Sequence, residues 1–322
     1  MNLNSDSLLS ADREQEFGTD PILIAGPTAS GKSEIALALA VALQGEIISV
    51  DSMQVYRGLD IGTSKPTSAE RISVPHHLLD VVDLADGSFD AARFVAETEQ
   101  AIREIRQRGR LPILCGGTGL YFNAWLKGLG TAPPPDLVLR AELETLPLET
   151  LLEELARKDR VCFDTIDRKN HRRIVRAIEV IRITGKPFSG QRSLWSDRAP
   201  VLRGRSFGLK RTREDLLDRI HQRVDRMFEG GLVAETAQLL PRGLEKNRTA
   251  LQAIGYRQVV EHLHGVRGLG ETVELVKSKT RQYARRQRTW FEGQLTLDWI
   301  SLEARETVES TVVRIRESLR KG

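Results

Sequence analysis

Short apolar runs alternate with helical stretches along the first third of the chain. Residues 21–25 (PILIA) are apolar, and GPTASGKS then leads into the helical EIALALAVAL. A second apolar run, EIISVDS (46–52), carries Asp51 at its end, and the following MQVYRGLDIGTSKPT is punctuated by Gly and Pro and reads as loop. HHLLDVVD (76–83) predicts a third strand. A helix is expected from about 89 to 108, with Ser88 as N-cap, Asp90 in the first turn and Gly109 as its stop. Val95, Ile102 and Ile105 share one face of it. LPILC (111–115) reads as another buried strand, ahead of GGTGLY (116–121). Strands and helices alternating in this way predict a parallel sheet covered on both faces.

The alternation stops at TAPPP (131–135), and from there to about residue 198 only helical periodicity is visible. RSFGLK (205–210) restores a strand-like run, and LDWI (297–300) is a last one. The expected organisation is an α/β core made of residues 21–130 and 200–305, the latter adding C-terminal helices. It is interrupted by an all-helical insertion over 131–199 and followed by a helix over 306–322. Residues 1–20 are a polar, mildly acidic leader with little to bury, expected to be disordered.

Composition narrows the class. Of the 322 residues 40% are hydrophobic and 29% charged, as in globular chains rather than disordered ones. No stretch approaches the ~18 unbroken apolar residues of a membrane span. The first residues lack the basic start and apolar core of a secretory signal. A cytoplasmic protein without a membrane partner is therefore expected. Cys115 and Cys162 have no C-x-x-C spacing, so neither a disulfide framework nor a zinc site is indicated. The net charge is +4, but the first twenty residues hold five acids and one arginine, which leaves +8 on the remainder. That remainder is richer in Arg than in Lys, which suits an anionic partner.

Gly26-Pro27-Thr28-Ala29-Ser30-Gly31-Lys32-Ser33 fits G-x-x-x-x-G-K-[ST], the phosphate-binding P-loop, between a strand and a helix. Its glycines let consecutive N–H groups turn toward phosphate oxygens, and the helix start adds the positive end of its dipole. Lys32 supplies a point charge, and the Ser33 hydroxyl is placed to ligate Mg²⁺. The core is thus P-loop NTPase-like, and the pattern calls for a diphosphate or triphosphate without naming the compound; ATP or GTP is the common case. Asp51, at the carboxyl end of the second strand, lies where such sheets bind ligands. It could ligate the metal, act as a general base, or simply cap a turn. The strand LPILC ends in Cys-Gly-Gly, so the usual metal-binding acid of an NTPase is missing there.

Basic residues recur in patterns. Arg219, Arg223 and Arg226 lie at i, i+4 and i+7 beside a stripe of Leu217, Ile220, Val224 and Met227, with Asp215, Asp218 and Asp225 close by. RKNHRRIVR (168–176) and KTRQYARRQR (279–288) each hold five basic residues and no acid. Tyr283 and Trp290 are interleaved with the second cluster. Such helical clusters suit a phosphate backbone and unstacked bases, or a solvated face.

GPTASGKS, DSMQVYRGLDIGTSKP, PHHLLD and GGTGLY, in that order, resemble the tRNA dimethylallyltransferase (tRNA isopentenyltransferase) family. The likeness continues through RRIVRAIEV, FEGGLVAE, AIGYRQ and KTRQYARRQRTWF and spans residues 21–300. Ser33 stands where many members have Thr, and the leader is longer than usual. The resemblance implies transfer of a dimethylallyl group from dimethylallyl diphosphate to N6 of the adenine 3′ of the anticodon, in tRNAs that read codons starting with U. It implies that the P-loop holds the diphosphate, with Mg²⁺, and that Asp51 is the base. Thr28 lies near the reacting atoms, and either Arg219 or Arg223 assists the diphosphate. The implied tRNA contacts are Asp51, Ser52, Met53 and Gln54; Thr118, at the flipped nucleotide; Arg172, Arg173, Ile174, Val175 and Arg176; and Arg281, Gln282, Arg285, Arg286 and Arg288. The partners are the tRNA anticodon stem-loop and dimethylallyl diphosphate, and the enzyme is expected to be a monomer. The C-terminal zinc finger of some eukaryotic members is absent. Three alternatives share parts of the pattern: a small-molecule kinase or NTPase, a prenyltransferase acting on free AMP, and a nucleic-acid-binding module without catalysis.

Overall fold

The computed structural model describes residues 16–86, 89–129, 132–192, 202 and 204–320. By its internal contacts the chain divides into two compact units, Met1–Asn123 with Val201–Gly322, and Ala124–Pro200. The first unit holds β1 (Ile22–Ala25), α1 (Lys32–Ala42), β2 (Gly45–Val50), α2 (Ser68–Ser73), β3 (His76–His77), α3 (Ala91–Gln107) and β4 (Leu111–Gly116). After α4 (Gly119–Lys127) come α5 (Leu137–Thr145), α6 (Leu148–Lys158), α7 (Arg160–Thr165), α8 (His171–Thr184) and α9 (Phe188–Arg192). The chain then returns to the first unit with β5 (Ser206–Arg211), α10 (Arg213–Glu229), α11 (Leu232–Leu239), α12 (Tyr256–Leu263), α13 (Leu269–Gln294), β6 (Asp298–Leu302) and α14 (Val308–Leu319).

Among the described residues the strands form one parallel sheet in the order β3-β2-β4-β1-β5-β6. β1, β2 and β4 are buried along their whole length, as continuous apolar runs of a doubly covered sheet should be. β1 lies between β4 and β5, with Ile24 level with Cys115 and Phe207, so the loop leaving β1 opens over the middle of the sheet's carboxyl edge. At that edge a Cβ on Gly116 would lie 2.0 Å from the Val50 carbonyl oxygen, so only glycine lets β4 end against β2. Ile35 and Leu39 of α1 share a core cluster with Val312, Ile315 and Leu319 of α14 and with Ile22 and Ile24.

Several local expectations shift. Only His76–His77 of the run 76–83 pairs as a strand. Leu78 and Asp80 then take positive φ of 61° and 56°, and the Asp80 carboxylate is held by Lys65 and Arg71. A single bridge between Tyr56 and Val82 is what remains of the longer strand. α3 is capped by Asp90, whose side chain accepts from the Arg93 N–H; Ser88 lies outside the described residues. Its buried face is Phe94, Thr98, Ala101, Ile102 and Ile105, with Val95 only half-buried. The end of the leader is packed: Phe17 is buried in the core cluster, and Arg205 donates to the carbonyls of Phe17 and Asp20. Residues 1–15 lie outside the described set.

The second unit contains helices and no strand among its described residues. Leu143, Leu151, Leu155, Ile174 and Ile178 form its core, and both faces of the arrangement come from i, i+3 and i+4 spacing. Inside it Glu179 is fully buried. Its carboxylate accepts from Arg140 Nη2 at 2.5 Å, Arg176 Nη1 at 2.7 Å and the Asp136 N–H at 2.9 Å. Three donors offset the desolvation of one carboxylate, and removing it strands two partly buried guanidinium groups. Glu179→Ala is expected to cost about 2 kcal/mol of stability, read as a lower midpoint in chemical denaturation. An unchanged midpoint would contradict the structural role of the triad.

Candidate active site

The loop between β1 and α1 adopts an anion-cradling shape through two left-handed residues, Ala29 (φ 64°) and Gly31 (φ 93°). Its carbonyls are drawn to the outside. Arg211 Nε donates to Ser30 O at 2.9 Å, and Arg219 Nε to Ala29 O at 3.0 Å. Pro27 O accepts from the Ser30 N–H and from Lys32 Nζ, the latter at 3.3 Å. With these oxygens engaged, the N–H groups at the start of α1, which have no intrahelical partner, are the loop's free polarity. Gly26 is confined as well: a Cβ there would meet Ser30 Oγ at 2.8 Å and Leu209 O at 3.2 Å. Ser30 itself is fully buried, and its hydroxyl has no hydrogen-bond partner among the described residues.

Asp51 follows β2 directly. Its Oδ1 accepts from the Met53 N–H at 2.8 Å and the Gln54 N–H at 3.3 Å, so one oxygen does cap the turn. No donor among the described residues reaches Oδ2, and Asp51 lines a cavity of about 350 Å³. Thr118, at the end of β4, accepts from the Ser52 N–H at 3.0 Å and thereby fixes the same turn from the neighbouring strand. Gln54 accepts from Ser49 Oγ at 2.8 Å and donates to the carbonyls of Thr63 and Ser64. That loop is braced in turn by Glu235, which accepts from the Ile61 N–H, and by Tyr256, whose hydroxyl accepts from the Gly62 N–H.

Thr28, Lys32, Ser33, Asp51, Arg223 and Tyr283 all face this cavity. A second cavity of about 380 Å³ shares Lys32, Ser33 and Arg223 with it and adds Arg219 and Arg226. Burial pushes the Lys32 ammonium below its usual pKa; Cys115 opposes the fall, Arg223 adds to it and Asp51 opposes it again. Burial likewise lowers Arg223, against the pull of Asp51 and with the push of Arg226. No carboxylate pairs with Arg223 among the described residues, whereas Arg219 sits 3.6 Å from Glu34 and holds the loop backbone. Two half-buried cations beside one carboxylate leave a surplus positive potential, as an anion site needs. Burial also raises the Tyr283 phenol, reinforced by Asp51.

The remaining residues expected from the sequence divide sharply. Arg172 and Arg173 are exposed on α8, but the side chains of Ile174 and Val175 are buried in the helical unit's core. Arg176 is tied to Glu179 and to the Pro133 carbonyl, so its charge is already engaged. Arg281, Gln282, Arg285 and Arg288 are exposed on α13, and Arg286 reaches the rim of the Asp51 cavity. Trp290 packs over Gly119, where a Cβ would meet its ring at 2.2 Å, rather than standing free as a stacking platform. Sequence reasoning missed Gln287, which is buried between those arginines and bonds to Thr28 and Gly117. Its signal was spacing: 280, 284, 287 and 291 lie on the buried seam of α13, and an amide side chain stands among them.

A family model described as IPP transferase matches residues 54–294, downstream of the P-loop and Asp51. The tRNA dimethylallyltransferase 1 of Trichlorobacter lovleyi is 46% identical over 87% of this chain and 93% of its own length. The tRNA dimethylallyltransferase of Geobacter metallireducens is 42% identical over 93% and 98%. Among solved structures, the tRNA isopentenylpyrophosphate transferase of Bacillus halodurans superimposes with TM-score 0.68 and 36% identity, covering 94% of this chain and 97% of that one. A eukaryotic dimethylallyltransferase captured acting on tRNA gives TM-score 0.72 at 28% identity, covering 88% and 74%.

Burial pushes the Cys115 thiol up to about 12. At pH 8 roughly one molecule in ten thousand would carry the reactive thiolate. Iodoacetamide at pH 8 is therefore expected to leave the Cys115 peptide unmodified in the folded protein and to label it fully in denaturant. Equal labelling in both, read by peptide mass spectrometry, would contradict a buried, protonated thiol at this position.

Proposed function

The chain belongs to the IPP transferase family, enzymes that transfer prenyl groups to tRNA, and from that premise we propose the reaction and the role of each site residue. The dimethylallyl group passes from dimethylallyl diphosphate to N6 of the adenine 3′ of the anticodon in tRNAs reading U-starting codons. The N6–carbon bond forms as the allylic carbon–oxygen bond breaks, diphosphate leaves, and the N6 proton goes to Asp51. The observation that carries this reading is one cavity lined both by the P-loop residues Lys32 and Ser33 and by a carboxylate with an uncommitted oxygen.

Charge accumulates on the diphosphate as the carbon–oxygen bond breaks. Lys32, held by the Pro27 carbonyl, and the N–H groups of the loop, held by Arg211 and Arg219, are positioned beforehand, and Arg223 adds a desolvated charge beside them, so they stabilise the leaving group with little reorganisation. Their desolvation supports the assignment, because buried cations without a carboxylate partner gain most from an arriving anion. Arg223 is the arginine that assists the leaving group, and Arg219 holds the loop that cradles it. A magnesium ion fits the donor set: the Ser33 hydroxyl, exposed at the first turn of α1, is a hard oxygen ligand. Magnesium commonly keeps several waters and is held through one or two protein oxygens together with substrate phosphates. When bound, magnesium would neutralise part of the diphosphate charge.

Asp51 is a positioned base because its Oδ1 is anchored by two backbone N–H groups and Thr118 clamps the turn. The apolar lining of the same cavity, Met53, Val224, Met227 and Val276, offers a dry wall for the five-carbon group. The tRNA anticodon stem-loop docks on the exposed arginines of α13, namely Arg281, Arg285 and Arg288 with Arg286 at the rim, and on Arg172 and Arg173. A loop adenine is extruded into such a pocket at modest cost. The enzyme acts as a monomer.

Label from radiolabelled dimethylallyl diphosphate should enter unmodified tRNA in the presence of Mg²⁺, with none in AMP and no ATP turnover in parallel reactions. Label in AMP, or ATP turnover without transfer, would replace this reading with a nucleotide prenyltransferase or a kinase. Asp51→Ala should lower turnover by at least ~100-fold while dimethylallyl diphosphate still binds; turnover within tenfold of the parent would remove Asp51 as the base. Replacing Arg281, Arg285 and Arg288 together by Ala should flatten the log–log salt dependence of tRNA binding by about 2. An unaltered slope would move the RNA surface elsewhere.

A further inference from the structure

α13 carries the exposed arginines on one side and Gln287 on the other. The Gln287 amide spends both of its ends on backbone far away in sequence. Oε1 accepts from the Thr28 N–H at 2.8 Å, and Nε2 donates to the Gly117 carbonyl at 2.9 Å. The fit is close: a Cβ on Gly117 would meet Nε2 at 2.3 Å, so glycine is what admits the amide at this depth. The amide's orientation follows from its neighbours, since the oxygen faces a donor and the nitrogen an acceptor.

In a phosphate-binding loop the N–H groups are the working surface. Here the Thr28 N–H is withdrawn from that surface and bonded to a neutral carbonyl oxygen. The peptide between Pro27 and Thr28 is thereby fixed in plane, and with it the direction in which the Thr28 side chain leaves the backbone. Thr28 is itself buried and lines the cavity that holds Asp51 and Lys32. Gly117, the other partner, is one residue from Thr118, which clamps the Asp51 turn through Ser52. One side chain on the arginine-bearing helix therefore braces the strand end behind the base and the loop that holds the donor.

We propose that Gln287 is a positioning residue that sets the Thr28 peptide against the Asp51 turn from α13. This rests on the prenyl-transfer reading above, in which Thr28 lies at the reacting atoms. A group that aligns two reactants acts on the rate within the bound complex more than on binding of either one, so its loss lowers kcat with little change in KM. An RNA contact would do the reverse and lower tRNA affinity and its salt dependence.

The test uses Gln287→Met, close in size and lacking both polar ends, together with Gly117→Ala, which displaces the amide from the opposite side. Both are expected to lower kcat at least ~10-fold, since a misplacement of about 1 Å between aligned reacting groups can cost about 100-fold in rate. KM for dimethylallyl diphosphate, the tRNA dissociation constant and its salt slope should stay within about twofold. A fall in tRNA affinity parallel to the fall in kcat/KM would overturn the proposal in favour of an RNA contact, and an unchanged kcat would reduce Gln287 to packing. Gln287→Glu separates alignment from stability: it keeps the acceptor for Thr28 and regains a donor for Gly117 only when protonated. Its rate relative to the parent should rise as pH falls, and a pH-independent ratio would overturn the role. If the parent transfers no label from dimethylallyl diphosphate to tRNA, the reaction itself fails and this role with it.

Discussion

Everything at the carboxyl edge of the sheet depends on which way the peptide groups of residues 26–33 face. A cradle for an anion needs N–H groups turned inward, and that leaves carbonyl oxygens that must be satisfied outside. In this chain two arginines from the β5–α10 segment perform that task, Arg211 on Ser30 and Arg219 on Ala29. The left-handed Gly31 lets the loop feed α1 with its N-terminus aimed at the ligand. The constraint explains why a loop near residue 30 requires side chains from beyond residue 205: the sheet order places β5 beside β1, and α10 follows it immediately.

The same edge concentrates opposite charges in a way that serves group transfer better than nucleotide hydrolysis. β4 ends in Cys115 and Gly116 and is followed by Gly117, so no carboxylate stands at that strand end, where a hydrolase would hold its metal. The carboxylate comes instead from the end of β2, clamped by Thr118 and its own turn. Cations held half-buried with no carboxylate paired to them among the described residues, and a carboxylate with one free oxygen, are costly in the empty state. Such groups are retained where a substrate completes them, and in the proposed reaction an anionic leaving group and an amine that must lose a proton complete one each.

Much of this was legible in the sequence, and the failures have identifiable causes. The P-loop, Asp51 and the strand–helix alternation were readable because each is set by local rules: glycine conformations, an apolar run of strand length, a residue at its end. The helical insertion was readable from a change of period. The strand over 76–83 was misread because Leu78 and Asp80 take left-handed conformations, and the Asp80 carboxylate is claimed by Lys65 and Arg71 from outside the run. Ile174, Val175 and Arg176 share a basic stretch with Arg172 and Arg173, yet the helix turns them inward, and Arg176 answers to Glu179. A charge run in sequence is thus not a charge run in space. Gln287, Arg211 and the Glu235–Tyr256 brace were hidden for the same reason, since each works across more than twenty positions of sequence separation.

The central claim is that this P-loop holds the diphosphate of an allylic donor. Calorimetric titration with the inert thiolo analogue of dimethylallyl diphosphate, in Mg²⁺, tests it most directly. The account predicts that the analogue binds, that inorganic diphosphate displaces it, that ATP does so poorly, and that Lys32→Ala weakens its binding at least ~10-fold. Undiminished binding to the Lys32→Ala protein, or displacement by ATP as effective as by diphosphate together with ATP hydrolysis, would contradict it.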